Sequence, residues 1–395
     1  MKSEKLNKIQ NLIRQKNIDV CIVNSPENIF YTCGFTPNQL TVSRNPNFAA
    51  LILDSKDEKL LLSTMDYENY SCQYNKIDVE LKPYSTWVGL KEKKEIIEKT
   101  PAINNSNSCL DVIYEHISKN YDKSNLVIGI ELSFITPNYF MELKNLFPKA
   151  EFVDISHLFI VSRSVKTEEE IKEFRKITEV CDKALLNMSS HIEIGMSEKD
   201  LIKYYREYIF NDGRYLPSGW TMLGFGKNSA SLSRPGNKIL KEYHSIRFDG
   251  GANADFDFYN TDFSRSWLMP KADPLLKKIK PILYSAQRKM IESIKPGLKF
   301  NELFNIGYEY VKKEIPNYVR GHLGHSISIG PQTAEYPVIN KDNNATIEEN
   351  MILCIEVPLY IKDLGGFNIE DMIVVNKDSC EVLTHRTPHY LDIEK

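Results

Sequence analysis

The sequence predicts an α+β protein of two domains: an α/β domain followed by a domain in which helices flank an antiparallel sheet. Helical and strand patterns alternate up to Val161, which is typical of an α/β layer with a mostly buried sheet. After Val161, long helical patterns are grouped beside strand-rich segments, which favours an antiparallel sheet with flanking helices. The length of 395 residues is enough for two or three domains.

The first domain begins with a helix, predicted over Glu4–Lys16 because charged and apolar residues alternate there at helical spacing. The apolar run VCIVNS follows as a strand, and AALILDSKDEKLLLST predicts a hairpin with its turn at 54–59. The run LVIGIEL predicts another buried strand. Thr136 and Pro137 have the residue types of an N-cap and a first helical position, so a helix is predicted over TPNYFMELKNLF.

A capping-box signature marks the start of the second domain. Thr167 is followed three residues later by Glu170, and acidic residues occupy the first turn of the long helix behind them. We therefore predict domains over 1–161 and 162–395. The later helices are predicted over Ser197–Phe210, Lys271–Ser293 with an internal Pro281, and Phe300–Glu314.

Composition excludes several classes of partner and indicates a compartment. The net charge of −3 argues against nucleic acid or an anionic membrane as the main partner. No apolar run approaches the ~20 residues that span a bilayer. The seven cysteines are odd in number, scattered and never spaced as CxxC, which favours reduced thiols over a disulfide framework. We expect a cytoplasmic protein.

Four carboxylates of the second half lie in apolar strand patterns, where an unpaired charge is costly. In chain order they are Asp249 in HSIRFDGG, Asp262 in FDFYNTDFSRSWLM, Glu356 in MILCIEVPLYI and Glu370 in GGFNIEDMIVVN. Each alone is more often an edge or salt-bridge residue. Together they need positive partners, and two divalent cations would provide them.

The segment VRGHLGHSISIG, residues 319–330, contributes a candidate nitrogen ligand, His325. A single histidine in a glycine-rich loop is usually just exposed, so His325 gains weight only from the four carboxylates. Carboxylates with one imidazole form a hard, oxygen-rich set that suits manganese, iron, cobalt or zinc.

The order of these residues and their local contexts resemble the pita-bread metallopeptidases. That family includes aminopeptidase P, prolidase and methionine aminopeptidase, with creatinase as a metal-free relative. The contexts are D-x-G, Y-x-x-D-x-x-R, G-H-x-x-x-x-G, I-E-x-P-L-Y-I and I-E-D-x-x-V-V around Asp249, Asp262, His325, Glu356 and Glu370. The first half is similar to the creatinase/prolidase N-terminal domain in IDVCIVNSPENIFYTCGF and VIGIELSFITPNYF. The resemblance covers nearly the whole chain and implies a pita-bread catalytic domain after residue 161.

The resemblance also implies a role for each matching residue. Asp262 and Glu370 would bridge two divalent metals, Asp249 would complete one, and His325 with Glu356 would complete the other. A water shared by the metals would be the nucleophile, with Glu356 moving its proton to the leaving nitrogen. Mn²⁺ is the expected metal, with Co²⁺, Fe²⁺ or Zn²⁺ as alternatives.

Several positions depart from the family pattern. Ser233 and Ala334 stand where the family has two histidines that assist the substrate, and Asn368 stands where an arginine commonly precedes the last glutamate. His322 is either a displaced catalytic helper or a packed imidazole.

Three further residues are expected to contact the substrate: Ser233, Tyr259 and Glu335. Arg265 matches an arginine usual in the family and is predicted to be catalytic, with a structural role as the open alternative.

Three functions remain open at this point. The first is a metal-dependent hydrolase of the Xaa-Pro dipeptidase or aminopeptidase P type, which cleaves a peptide bond next to proline. The second is a non-peptidase enzyme on the same metal site, such as an amide or C–N hydrolase or a lyase of a small metabolite. The third is an inactive interaction domain. The expected partner is a small peptide or small molecule, and the resemblance implies a homodimer.

Overall fold

The computed structural model describes residues 4–55, 59–74, 78–91, 93–98, 107–255, 257–330 and 334–391. The chain divides into two compact units, Met1–Ser162 and Arg163–Lys395. The domain boundary between 161 and 162 that the sequence indicates stays a prediction. In the described ranges, no helix is long and apolar enough to cross a membrane.

The first unit contains a mixed sheet, as predicted for an α/β domain. Its described strands are β1 (Val20–Val23), β2 (Ala49–Asp54), β3 (Leu60–Met65), β4 (Glu80–Tyr84), β5 (Val127–Ile130) and β6 (Glu151–Asp154). They are ordered β4-β3-β2-β1-β5-β6. The predicted hairpin is confirmed, since β2 and β3 pair antiparallel, although residues 56–58 of its turn lie outside the described residues. The pairs β1–β5, β5–β6 and β3–β4 are parallel.

Helices accompany this sheet. Those described are α1 (Glu4–Gln15), α2 (Pro26–Cys33), α3 (Asn38–Ser43), α4 (Asn69–Tyr74), α5 (Lys93–Glu98), α6 (Cys109–Asn120), α7 (Pro137–Leu146) and α8 (Ser156–Ser164). The predicted start of α7 is confirmed: the Thr136 side chain accepts a hydrogen bond from the backbone N–H of Tyr139, and Pro137 opens the helix.

The second unit contains a larger, antiparallel sheet. Its described strands are β7 (Tyr215–Pro217), β8 (Met222–Phe225), β9 (Ser245–Gly250), β10 (Ala252–Ala254), β11 (Phe263–Leu268), β12 (Gly324–Ser326), β13 (Glu335–Val338), β14 (Ile352–Ile361), β15 (Gly365–Val375) and β16 (Cys380–Val382). The main sheet has the order β13-β12-β14-β15-β11-β9-β8, with β16 beside β15, while β7 and β10 form a separate pair.

Four long helices of this unit are described: α9 (Glu168–Ser189), α10 (Glu198–Asp212), α11 (Pro274–Ser293) and α12 (Phe300–Glu314). The predicted capping box of Thr167 and Glu170 is present at the start of α9. The prediction that α11 begins at Lys271 was wrong. The helix begins later because Asp273 caps it, accepting from the backbone N–H of Leu275.

The helices cover one face of the main sheet. Apolar side chains of α11 and α12 pack against β14 and β15, and those of α9 and α10 pack against β8, β9 and β11. The sheet contributes alternate positions to these clusters, for example Ile355 and Val357 of β14 and Ile369 of β15. Because successive side chains of a strand point to opposite faces, the residues between them lie on the other face.

Candidate metal centre

Three of the five candidate ligands lie in one row across the face of the main sheet that the helices do not cover. Asp249 of β9 is the cross-strand partner of Ser264 of β11, which is the partner of Glu370 of β15. Glu370 is in turn the partner of Glu356 of β14. Residues from four strands, distant in sequence, are therefore brought side by side by the register of the sheet.

The other two candidates lie in the neighbouring row. His325 of β12 is the cross-strand partner of Cys354, which is the partner of Met372. Asp262 lies immediately before β11, where its backbone N–H donates to Sδ of Met372 at 3.4 Å. Its carbonyl accepts from Sγ of Cys354 at 3.3 Å. Sulfur contacts on both sides thus fix the backbone of Asp262 beside the first row.

The candidate ligand atoms are close together and buried. One oxygen each of Asp249, Asp262 and Glu370 lies within 4.8 Å of the others. Nε2 of His325 is 3.8 Å from Oδ2 of Asp262 and 4.0 Å from Oε1 of Glu370. No more than 5% of the surface of any of the five residues is exposed. Two donors that bind one cation at ~2 Å lie no more than about 4 Å apart, and the contacts of His325 with Asp262 and Glu370 meet this limit.

The orientation of the His325 ring also fits a metal. Its Nδ1 faces the carbonyl oxygen of Ser326 at 3.0 Å. A carbonyl only accepts, so Nδ1 carries the proton and Nε2 presents its lone pair to the carboxylates. Burial lowers the pKa of His325, which favours the neutral ring that a metal needs.

Electrostatic repulsion among the carboxylates of the cluster also favours the binding of a cation at this place. Burial raises the pKa of Glu370 well above its ordinary value, and the charges of Asp262, Glu356 and Asp249 raise it further. Burial also raises the pKa of Asp249, although Arg247 opposes the effect. Divalent cations would remove this repulsion, and the donor set of carboxylates with one imidazole is one that such ions accept.

Glu356 differs from the other carboxylates because the side chains of Arg320 and His322 contact it. Nδ1 of His322 is 3.0 Å from its Oε1, and Nη2 of Arg320 is 3.4 Å from each of its oxygens. Burial raises the pKa of Glu356, but the hydrogen bond from His322 and the charge of Arg320 outweigh it, and the pKa falls to about 2. The side chains of Arg320 and His322 are 24% and 38% exposed. They mark the open edge of the cluster.

A third row of side chains lies next to the first, on the side away from His325 and Asp262. Nη1 of Arg247 donates to Oδ2 of Asp249 at 2.9 Å. Nδ2 of Asn368 contacts the same oxygen at 3.3 Å and Oε2 of Glu370 at 3.1 Å. Arg247 also donates to the carbonyl of Ser231 at 2.6 Å. The loop that carries Ser233 is thereby tied to the ligand row.

A glycine is required where β12 approaches β14. Gly324 has φ of +137°, and a Cβ there would lie 2.1 Å from the carbonyl oxygen of Cys354. Any other residue would push β12, and with it His325, away from the sheet.

Family comparison agrees with the chemistry of this cluster. Residues 172–377 match the model of metallopeptidase family M24. The chain belongs to metallopeptidase family M24. Residues 5–165 match the creatinase/prolidase N-terminal domain. The predicted family and fold are confirmed, and this M24 chain is a metal-dependent hydrolase whose family implies divalent metal ions.

Related proteins match the M24 chain over nearly its full length. It is 26% identical to the Xaa-Pro dipeptidase of Pyrococcus furiosus over 385 residues, 96% of this chain and 97% of that protein. It is 27% identical to an uncharacterised peptidase of Staphylococcus aureus over 383 residues, 96% and 99% of the two chains.

Solved structures share the fold. The prolidase from Pyrococcus furiosus superposes with a TM-score of 0.77 at 23% identity, covering 96% of this chain and all of that one (100%). The Xaa-Pro dipeptidase from Bacillus anthracis gives a TM-score of 0.81 at 20% identity, covering 99% and 100%.

Arg265, predicted to be catalytic with a structural role as the alternative, does not lie on the face that carries the candidate ligands. It lies on the helix-covered face, where Nη2 donates to Oδ1 of Asp371 at 2.8 Å. Its other donors contact the carbonyls of Thr387 and Glu370 at 2.7 Å each. These contacts support the structural alternative: Arg265 holds the backbone of Glu370 from behind the sheet.

The three predicted substrate contacts are spread over different environments. Ser233 is exposed and its hydroxyl accepts from Ser231 at 3.0 Å. Tyr259 is buried edge-to-face against Phe174, with ring centroids 5.3 Å apart. Glu335 pairs with Nη2 of Arg163 at 2.7 Å.

The sequence analysis missed Arg247 and gave no role to Arg320, and both contact carboxylates of candidate ligands. The sequence did contain a signal for Arg247. Arg247 stands two residues before Asp249 in a strand pattern, and such residues share a face. Arg320 gave no comparable signal because its contact with Glu356 depends on the fold of the loop before β12.

Proposed function

We propose that this M24 protein is a dinuclear-metal Xaa-Pro dipeptidase, which cleaves the peptide bond before a C-terminal proline. The observation that carries the proposal is the cluster of four buried carboxylates and one imidazole, with Arg320 and His322 at its open edge. The full-length similarity to the Xaa-Pro dipeptidase of Pyrococcus furiosus supports the substrate class.

We assign five residues as the metal ligands: Asp249, Asp262, His325, Glu356 and Glu370. Asp262 and Glu370 would be shared by both metals, Asp249 would complete one site, and His325 with Glu356 would complete the other. The bound ions would activate a water and polarise the scissile carbonyl. Mn²⁺ is the proposed metal because four of the five ligands offer hard oxygen donors; Co²⁺, Fe²⁺ and Zn²⁺ are alternatives.

Glu356 is the proposed proton carrier. As a carboxylate in the same row as Glu370, it would accept a proton from the attacking water and pass it to the leaving nitrogen. His322, 3.0 Å from Oε1 of Glu356 and partly exposed, is placed to hydrogen-bond the substrate beside that carboxylate. We therefore propose that His322 assists catalysis.

Arg320 is the proposed partner of the substrate's terminal carboxylate. Two divalent ions would balance the charge of the four carboxylates of the cluster, and the positive charges of Arg247 and Arg320 would then be in excess. Arg247 is 1% exposed, whereas the Arg320 side chain is accessible at the edge. A guanidinium that already faces both oxygens of Glu356 has the geometry to bind another carboxylate.

Several other residues are given supporting roles. We propose Arg265 as a positioning residue for Glu370 rather than as a group that touches substrate. Ser233, Tyr259 and Glu335 stay proposed substrate contacts, of which Ser233 has the support of its loop being tied to Arg247.

We also propose that the protein is a cytoplasmic homodimer. All seven cysteines are free thiols, which supports a reducing compartment. Sedimentation velocity of the purified protein tests the oligomeric state, and a monomer at all concentrations would rule the dimer out.

The decisive experiment compares metal-loaded protein with its Asp262→Asn variant on paired substrates. Xaa-Pro dipeptides, the same dipeptides as C-terminal amides, and Xaa-Pro-Xaa tripeptides form the panel. We expect turnover of the free dipeptides far above that of the amides and tripeptides. A rate no higher than that of Asp262→Asn on every peptide would overturn the proposal.

A non-peptidase function on the same metal site is favoured by one observation: Ser233 and Ala334, both exposed, replace the two histidines of the family pattern. The substitutions Ser233→His and Ala334→His distinguish a peptidase from a non-peptidase enzyme. Bound metal together with no peptide cleavage, even in the doubly substituted protein, would support the non-peptidase enzyme.

A further inference from the structure

A cavity of about 550 Å³ lies between α10 and the segment that follows Ser233. None of the described residues that line it is a candidate metal ligand, and the proposed function gives them no role. Most of them are charged, and one is aromatic: Lys199, Lys203, Arg206, Glu207 and Phe210 on α10, and Arg234 in the segment.

Positive charge is in excess around the cavity, although the whole chain has a net charge of −3. Of the described charged residues in its wall, four are cationic and Glu207 is acidic. Glu207 lies 3.4 Å from Nζ of Lys203, and both side chains of this ion pair are exposed. In the described part of the chain, the side chains of Lys199, Arg206 and Arg234 make no ion pair. Three positive charges are therefore available to a ligand.

The neighbouring acids of α10 have other partners. Glu198 is buried, and its Oε1 accepts from the backbone N–H of Phe225 at 2.9 Å and from Nδ2 of Asn228 at 3.1 Å. Asp200 accepts from the backbone N–H and the hydroxyl of Ser197 at 3.0 and 2.6 Å. Neither carboxylate is among the described groups that line the cavity.

Glu198 also fixes the wall of the cavity opposite α10. Its Oε2 accepts from the backbone N–H of Gly236 at 2.7 Å. The carbonyl of Gly236 accepts in turn from the backbone N–H of Lys199 at 3.1 Å. Arg234 stands two residues before Gly236, so these bonds hold its backbone beside the first turn of α10.

The cations of α10 follow one side of the helix. Lys199, Lys203 and Arg206 are spaced by four and three residues, and like charges at this spacing repel each other and destabilise a helix. They extend over about 10 Å of the helix axis. A chain of phosphate groups can contact cations over this length, whereas a single phosphate group cannot reach all of them. Phe210 follows one turn later and is 57% exposed, so it offers an apolar surface at the end of the row.

We propose that this cavity binds a small anion that carries two or more phosphate groups. The guanidinium groups of Arg206 and Arg234 can donate paired N–H groups to phosphate oxygens, and the lysines add compact positive charges. The bound anion removes the repulsion along α10. Pyrophosphate and a nucleoside diphosphate share this chemistry, and the base of the nucleotide can in addition stack on Phe210. The inference does not depend on the proposed function.

Calorimetric titration of the full-length protein with pyrophosphate and with ADP gives the first test. A chelator is present, so that no metal ion at the carboxylate cluster can bind phosphate. We expect saturable binding of one equivalent of either anion, which weakens as the salt concentration rises. Inorganic phosphate is expected to bind at least about tenfold more weakly because it reaches fewer of the cations. No saturable binding of pyrophosphate or ADP at millimolar concentration would overturn the inference.

Variants then test whether the cavity is the site. Arg206→Gln and Arg234→Gln each remove one guanidinium and are expected to weaken pyrophosphate binding by about tenfold. Glu207→Gln removes a negative charge from the same wall and is expected to tighten binding, by up to about fivefold. These substitutions move affinity in opposite directions, which general damage to the fold would not do.

Arg175→Gln is the matched control, because it makes the same change at an exposed pair with Glu381 on another helix. It is expected to leave the affinity for pyrophosphate unchanged, and circular dichroism establishes that each variant is folded. Equal weakening by Arg175→Gln and Arg234→Gln would mean that the anion responds only to net charge. That result, or an affinity unchanged in both Arg206→Gln and Arg234→Gln, would overturn the inference.

Discussion

Arg320 lies at the open edge of the cluster and contacts both oxygens of Glu356 at 3.4 Å. If it binds the terminal carboxylate of a dipeptide, Arg320→Gln loses a charge-assisted pair of about 1.5–3 kcal/mol. We expect KM for an Xaa-Pro dipeptide to rise by roughly 10- to 100-fold, with little change for the dipeptide amide. Steady-state kinetics on the two substrates measure this difference.

The dipeptide amide serves as the internal control for Arg320. A variant that merely disturbs Glu356 would lose kcat on both substrates, because Glu356 acts on either. Equal losses on acid and amide would therefore rule out carboxylate recognition by Arg320. The metal content of the variant, measured in parallel, is expected to match that of the unmodified protein.

At the scale of elements, the short strand β12 holds His325 in place only because Gly324 allows close approach to β14. Gly324→Ala would place a Cβ 2.1 Å from the carbonyl oxygen of Cys354, at a φ that alanine rarely adopts. We expect a loss of at least about 2 kcal/mol in the free energy of unfolding and weaker metal binding. Denaturant unfolding and metal titration measure the two effects.

Gly321→Ala is the matched control in the same segment. Gly321 is exposed, and a Cβ there meets nothing within 4 Å. This substitution is expected to change neither stability nor metal binding. A Gly324→Ala protein as stable as Gly321→Ala would show that β12 can shift without cost.

Sequence alone predicted the elements whose signals are local. The capping box at Thr167 and the cap at Thr136 are interactions between residues three apart, and both are present as predicted. The candidate ligands could be named because a carboxylate in an apolar strand is conspicuous. The start of α11 was misplaced because Lys271 fits a helical pattern but the cap at Asp273 decides where the helix begins.

Other features depend on strand register and could not be read locally. Arg265 and Asp371 pair on the helix-covered face, although Arg265 stands three residues from Asp262 and Asp371 directly follows Glu370. Burial raises the pKa of Asp371, but the charge of Arg265, with those of His389 and Arg288, lowers it well below its ordinary value. Adjacent residues on β15 thus lie on opposite faces of the sheet, Glu370 in the row of candidate ligands and Asp371 in the ion pair with Arg265.

For the molecule as a whole, stability should vary with pH through Lys280. This side chain is buried, with Nζ donating to the carbonyl of His389 at 2.6 Å and lying 4.1 Å from the centroid of the Tyr390 ring. Burial lowers the pKa of Lys280 from 10.5 to about 7. Between these values the unfolded chain binds a proton that the folded chain does not, so raising the pH stabilises the folded state.

Lys280→Met isolates this effect from the other groups that titrate. Below pH 7 the lysine is charged in both states and its burial is costly, so the variant is expected to be the more stable protein by a constant amount. Above pH 7 the stability difference should shrink by about 1.4 kcal/mol per pH unit and level off as the pH nears 10.5. Urea unfolding of both proteins across this pH range measures the difference.

Lys278→Met, at an exposed position of the same helix, is the control and should show no such trend. A difference between Lys280→Met and the unmodified protein that stays constant from neutral to alkaline pH would mean that Lys280 keeps its charge in the folded state.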